Sequence, residues 1–117
     1  MRKMRKIEQL MNAAILAKVD WKQDNTEVIY YSGTDASDVY LHGNLIARIS
    51  PFSVELFDGG HQSATTKSRL NAILRVHAIQ GECVFQRNFK WFVHKFIGAG
   101  KRKVFVEKEF ENGMILA

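Results

Sequence analysis

The spacing of apolar residues changes period three times along this chain, and each change is bounded by a turn signal. Over residues 4–19, Met4, Ile7, Met11, Ala14, Ile15 and Val19 recur every three or four positions, the stripe of an amphipathic helix. From Glu27 the period falls to two. Glu27–Tyr31, Val39–Leu41, Leu45–Ile49 and Ser53–Phe57 read as short strands, with His42-Gly43-Asn44 as a tight hairpin turn and Asp58-Gly59-Gly60 as a break. Leu70, Ile73, Leu74 and His77 then restore a helical stripe over about residues 66–79, with Gly81 where a helix stop is expected. Alternation returns over 83–97, 103–110 and 114–117, with turns near Arg87-Asn88 and at Asn112-Gly113, the strongest short hairpin signal in the chain. Asp20–Thr26 and Ser32–Asp38 read as polar turns. Helix, strands, helix, strands with short connections predict one α+β domain over residues 1–117, an antiparallel sheet of short strands with two amphipathic helices.

A chain of 117 residues is long enough to bury its own core. At 46% hydrophobic and 25% charged residues, disorder is excluded as the default. The single cysteine, Cys83, excludes an internal disulfide framework and fits a reducing compartment. No apolar run approaches the ~18–20 residues of a membrane span. The basic start resembles the head of a secretory signal, but Glu8, Gln9 and Asn12 interrupt the apolar stretch after it, so a folded amphipathic helix is expected there.

Charge is segregated along the chain. Residues 19–66 hold seven acids against Lys22 and Arg48, whereas residues 67–108 hold ten cations against Glu82 and Glu107. A one-signed face attracts polyanions and steers encounters, provided the fold does not mix these segments into a patchwork.

Three clusters merit weighing. At the start of the second helix, Ser63, Thr65, Thr66, Lys67, Ser68 and Arg69 bring hydroxyls and cations to a helix N-terminus, where backbone N–H groups favour anions and Arg69 offers a bidentate grip. The same hydroxyls also read as caps, and the cations as exposed solvating residues. Two cations there oppose the helix dipole by a few tenths of a kcal/mol each, which hints at a ligand. The segment lacks the spacing of a phosphate-binding loop of the Walker type. Second, Lys101, Arg102 and Lys103 follow two glycines and suit either a phosphate backbone or a solvated loop. Third, Phe85, Phe89, Trp91, Phe92 and Phe96 interleave with Arg87, Lys90 and Lys95, a mixture that suits base stacking. Alternation predicts that Phe89, Trp91 and Val93 face the core, leaving Lys90, Phe92, His94 and Phe96 outward. The four histidines are scattered, so no metal ligand set and no cofactor site is expected. His77 reads as partly buried and hydrogen-bonded, Cys83 as a buried strand residue. Asp35 and Asp38 read as turn residues rather than an acid–base pair.

At Tyr40–Ala47 and Thr65–Ala72 the chain resembles a group of small, mostly uncharacterised bacteriophage proteins. In that group a strand reading LHGNxIA precedes a glycine turn, a TxTTxxRLNxLL helix start and an aromatic-bearing hairpin. The resemblance spans roughly residues 38–95 and departs at His61, where an aromatic such as Trp is expected. It implies a viral accessory protein acting in the host cell cytoplasm, and it transfers no catalytic residue.

Together these features predict a non-enzymatic protein that engages a polyanion, nucleic acid first, through segments 67–75 and 87–103, including Arg75, Arg87, Lys90, Phe92, Lys95, Lys101, Arg102 and Lys103. One alternative is a binder that sequesters a nucleotide signal of host defence on Thr66, Lys67 and Arg69. Another is an inhibitor docking on a host protein through a sheet edge or the first helix. The short final strand is a natural place for exchange between subunits in a homo-oligomer.

Overall fold

The computed structural model describes residues 4–98 and 104–116. Among these residues two helices, α1 (Lys6–Ala17) and α2 (Ala64–His77), accompany nine strands in two antiparallel sheets, so the expected α+β class holds. The large sheet is formed by β1 (Trp21–Gln23), β2 (Thr26–Tyr31), β3 (Ala36–Leu41), β4 (Asn44–Ser50), β5 (Ser53–Leu56) and β9 (Met114–Leu116), adjacent in that order. The small sheet is β6 (Cys83–Arg87), β7 (Lys90–Phe96) and β8 (Phe105–Glu109).

Register sorts the large sheet into two faces, because directly paired residues share a side. Val28, Val39, Ala47 and Leu56 pair in succession, and Val54 with Leu116, giving an apolar inner face that is almost wholly buried. Against it α1 sets Met11, Ala14 and Ile15, while α2 sets Leu70, Ile73 and Leu74. Each fully buried aliphatic side chain contributes roughly 1.5–3 kcal/mol. The other face carries Glu27, Asp38, Arg48 and Glu55, with Arg48 donating to both carboxylate oxygens of Asp38 and lying 3.8 Å from Glu55. Three of the seven acids of residues 19–66 therefore stand on this face.

Several turns follow their local chemistry. His42 and Gly43 both take positive φ, as a two-residue hairpin turn requires. Ile46 is an extra residue where the β3–β4 register shifts, and it is buried. At Gly59, φ is +68° and a Cβ would lie 3.2 Å from Asn44 Cβ and 3.3 Å from Ile46 Cγ2, so a side chain there meets both strain and crowding.

Elsewhere the structure corrects the sequence reading. The polar stretch after Asp20 contains strand β1, held by pairing of Trp21 with Val28. Asp38 belongs to β3 rather than to a turn, because Arg48 supplies the counter-charge that a carboxylate needs in a sheet. Asn12, which interrupts the apolar stretch of α1, is not exposed. It is buried, its amide donating to Ala72 O at 3.0 Å and its oxygen facing His77 Nε2 at 3.1 Å. Asn112-Gly113 does not close a hairpin: β8 stays in the small sheet and β9 joins β5 of the large one. Long-range bonds capture that turn, with Gly113 N donating to Leu56 O at 2.7 Å and Asp58 N to Asn112 Oδ1 at 2.8 Å. The final strand is paired within its own chain.

Arg69 departs most from expectation. The residue is 4% exposed, with Nη1 donating to Glu8 Oε2 at 2.8 Å and Nε to Thr26 Oγ1 at 3.0 Å. The same Glu8 oxygen accepts from Ser68 Oγ at 2.7 Å, and Glu8 is itself buried. Removing one member of such a pair strands the other charge in the interior at about 3–5 kcal/mol, whereas replacing both is often far milder. Arg69→Met should therefore lower the urea unfolding free energy by about 3–5 kcal/mol, and Glu8→Gln with Arg69→Met should recover most of it. Wild-type stability in the single variant would contradict this account.

His77 provides a second test. Burial holds its imidazole below the ordinary value of 6.5. Because the amide NH₂ of Asn12 serves Ala72, its oxygen accepts, and the neutral ring donates from Nε2. The unfolded chain binds this proton more readily than the native one. Stability is therefore complete above the unfolded value and falls as pH drops below about 6.5. In His77→Gln, the loss of chemical stability between neutral pH and about 5.5 should be smaller than in wild type; an equal loss would exclude His77 as its source.

Candidate nucleic-acid interface

The helix α2 builds the small sheet's position. Asn71 donates to Val84 O at 2.9 Å and accepts from Val84 N at 2.7 Å, so one amide satisfies both backbone groups on the free edge of β6. Buried Glu82 accepts from Ile79 N at 3.2 Å and Phe96 N at 3.0 Å, tying the α2–β6 connection to β7. Val84, Trp91 and Val93 form the inner face, with Phe110 set edge-on to Trp91 at 5.4 Å.

With that side committed to the core, the alternate residues form the outer face. Register places Cys83, Phe85 and Arg87 beside His94, Phe92 and Lys90, with Phe96 beside Phe105 and Glu107 beside His94. Phe85 stacks on Phe92 at 5.8 Å and meets the His94 ring edge-on at 4.7 Å, while Phe96 and Phe105 meet at 5.7 Å. These four phenylalanines are half-buried, with one side of the layer open. The Arg87 guanidinium lies 4.9 Å from the centre of the Phe92 ring and also pairs with Glu107. Gly81, at φ +106°, lets Phe105 approach: a Cβ there would sit 2.5 Å from the ring.

Phe89 is not on the core side. With Asn88 it forms the hairpin tip, both residues at positive φ, and its side chain is 95% exposed. A bulky residue in the left-handed region costs on the order of 1–3 kcal/mol. The turn claims two residues and so ends the alternation that pointed Phe89 inward.

The other predicted residues separate into groups. Arg87, Lys90 and Phe92 share the outer face, whereas Lys95 falls on the side of Trp91 and Val93. Lys101, Arg102 and Lys103 lie outside the described residues. Ser63 caps α2, its Oγ accepting from Thr66 N at 3.1 Å, and Thr66 is buried. Thr65 is half-buried in the first turn. Arg69, expected to grip an anion, has its donors turned inward to Glu8 and Thr26, because the core needs a partner for that carboxylate. Lys67, Ser68 and Arg75 line a groove of about 370 Å³ between the two helices. Arg5 of the α1 N-terminus lines it too, a residue that sequence spacing did not single out because it joins Lys67 only through tertiary packing.

Burial pushes the half-buried Cys83 thiol up, more than its backbone contact with His94 lowers it, which keeps it protonated. Asp35 accepts from Tyr30 and Lys18, and Asp38 is clamped by Arg48, so the two carboxylates serve separate contacts. Among the described residues no three His, Cys, Asp or Glu side chains converge. No helix among them is long and apolar enough to cross a membrane.

No curated protein and no solved structure matches the chain. The family model described as Kyanoviridae Gp96 protein matches residues 4–117. The chain thus belongs to the Kyanoviridae Gp96 family, a bacteriophage protein family of unknown function.

Proposed function

We infer that this phage protein binds single-stranded nucleic acid across the outer face of the small sheet, acting by association rather than catalysis, in the cytoplasm of the infected host. The observation that carries the reading is the layer formed by Phe85, Phe92, His94, Phe96 and Phe105, with Arg87 and Lys90 at its edge. Every base has a π-face, so an aromatic sheet surface captures splayed bases with little sequence preference, at about 1–3 kcal/mol per stacked base. Three successive cations, Lys101, Arg102 and Lys103, fall in the sequence between β7 and β8, two of the strands that contribute to this layer. They supply phosphate contact without base readout. Glu107 and Glu109 lower the charge of the face, and Glu107 is partly neutralised by Arg87, so affinity rests on stacking as well as on Coulomb attraction.

Fluorescence anisotropy with a labelled oligothymidylate tests the reading. Binding should be tightest at low salt, with log K falling against log salt by about 0.7 for each single-strand phosphate engaged. Phe92→Ala should cost about 1–3 kcal/mol in affinity. Changing Lys101, Arg102 and Lys103 together to Ala should weaken binding and flatten the salt slope while leaving the melting temperature unchanged. Absence of binding at low salt, with the protein folded, ends this reading.

A further inference from the structure

We propose that the groove between α1 and α2 is a second, separate binding site, for a small phosphate-bearing ligand of nucleoside phosphate type. It measures about 370 Å³, within the size range of small-molecule sites. Ala64, Lys67, Ser68, Asn71, Ala72 and Arg75 fall at i, i+3, i+4, i+7, i+8 and i+11, so the groove runs along one face of α2 for about 16 Å. Across it stand Met4 and Arg5, with Glu8 beneath.

The electrostatics favour an anion. Arg5, Lys67 and Arg75 all contribute to the lining. Among the described lining residues the acid is Glu8, which is already balanced by the buried Arg69 and accepts from Ser68. The carboxylate that would repel a phosphate is thus neutralised from behind, and Arg5 and Lys67 set the sign. α2 carries no acid in its first turn, and Lys67 stands there against the helix dipole. A phosphate near Lys67 would reverse that unfavourable interaction. Half-buried Met4 and exposed Ala64 add apolar surface to the wall, on which a flat base can lie. Asn71 gives both amide atoms to Val84, so polar recognition concentrates on the cations.

The site shares none of its lining with the outer face of the small sheet, and the two proposals stand or fall separately. Isothermal titration with ADP, pyrophosphate and adenosine, on the full chain, tests it. ADP should bind and raise the melting temperature, and adenosine should do neither. Lys67→Glu should weaken ADP at least tenfold while leaving the free protein as stable or slightly more so, since an acid suits the first turn. Arg5→Gln should also weaken ADP several-fold, and Phe92→Ala should leave it unchanged. The site is overturned by failure of ADP to bind, by equal binding of adenosine, or by undiminished ADP affinity in Lys67→Glu. Displacement of bound ADP by oligothymidylate overturns its separateness.

Discussion

A guanidinium and a carboxylate meet in this protein where water scarcely reaches, and the placement of both helices depends on that meeting. Glu8 comes from α1, Arg69 from α2, and Thr26 from the first residue of β2. Either charge alone in such surroundings is costly, so the pair forms only when all three elements are docked together. The pair therefore selects an arrangement as well as stabilising one. α1 cannot slide along α2 by a turn without stranding a charge, and α2 cannot rotate without carrying Leu70, Ile73 and Leu74 out of the core.

From that fixed position α2 organises the rest. One side completes the core of the large sheet. Asn71 caps the edge of β6, and Ala72 accepts from Asn12. The exposed remainder lines the inter-helix groove. The small sheet is thereby held by its inner face, with Val84, Trp91 and Val93 buried, and its aromatic outer face is left uncovered by either helix. Folding also separates charge: acids of the central segment collect on the outer face of the large sheet, whereas Arg87 and Lys90 stand with the aromatic layer and Lys67 and Arg75 with the groove. The described cations of the later segment do not form one surface, and this division motivates two binding sites rather than a single band.

Much of the secondary structure was legible in the residues. Two helical stripes, the His42-Gly43 turn, the Asp58-Gly59-Gly60 break and the alternation of β7 all depend on near neighbours, and the structure keeps them. Ser63 was among the hydroxyls that read as caps for α2, and it fills that place. His77 was expected to be partly buried and bonded, and it is. The failures are of another kind. Asn112-Gly113 has the chemistry of a hairpin turn, yet Leu56, Asp58 and Trp91 hold its flanks in different sheets. Phe89 continues an alternation that the turn at Asn88 interrupts.

The residue pattern alone determined the class of fold, the positions of both helices and of most strands, and the supply of cations and aromatics in the second half. These follow from backbone geometry and side-chain periodicity, which act over a few positions. Tertiary structure alone decided which cations face outward. Arg69 and Lys67 lie two positions apart and look equivalent in sequence, but one closes on a carboxylate 61 residues away and the other borders a groove. That distinction rests on the cost of leaving Glu8 unpaired in the interior, a cost that exists only once distant segments have been brought together.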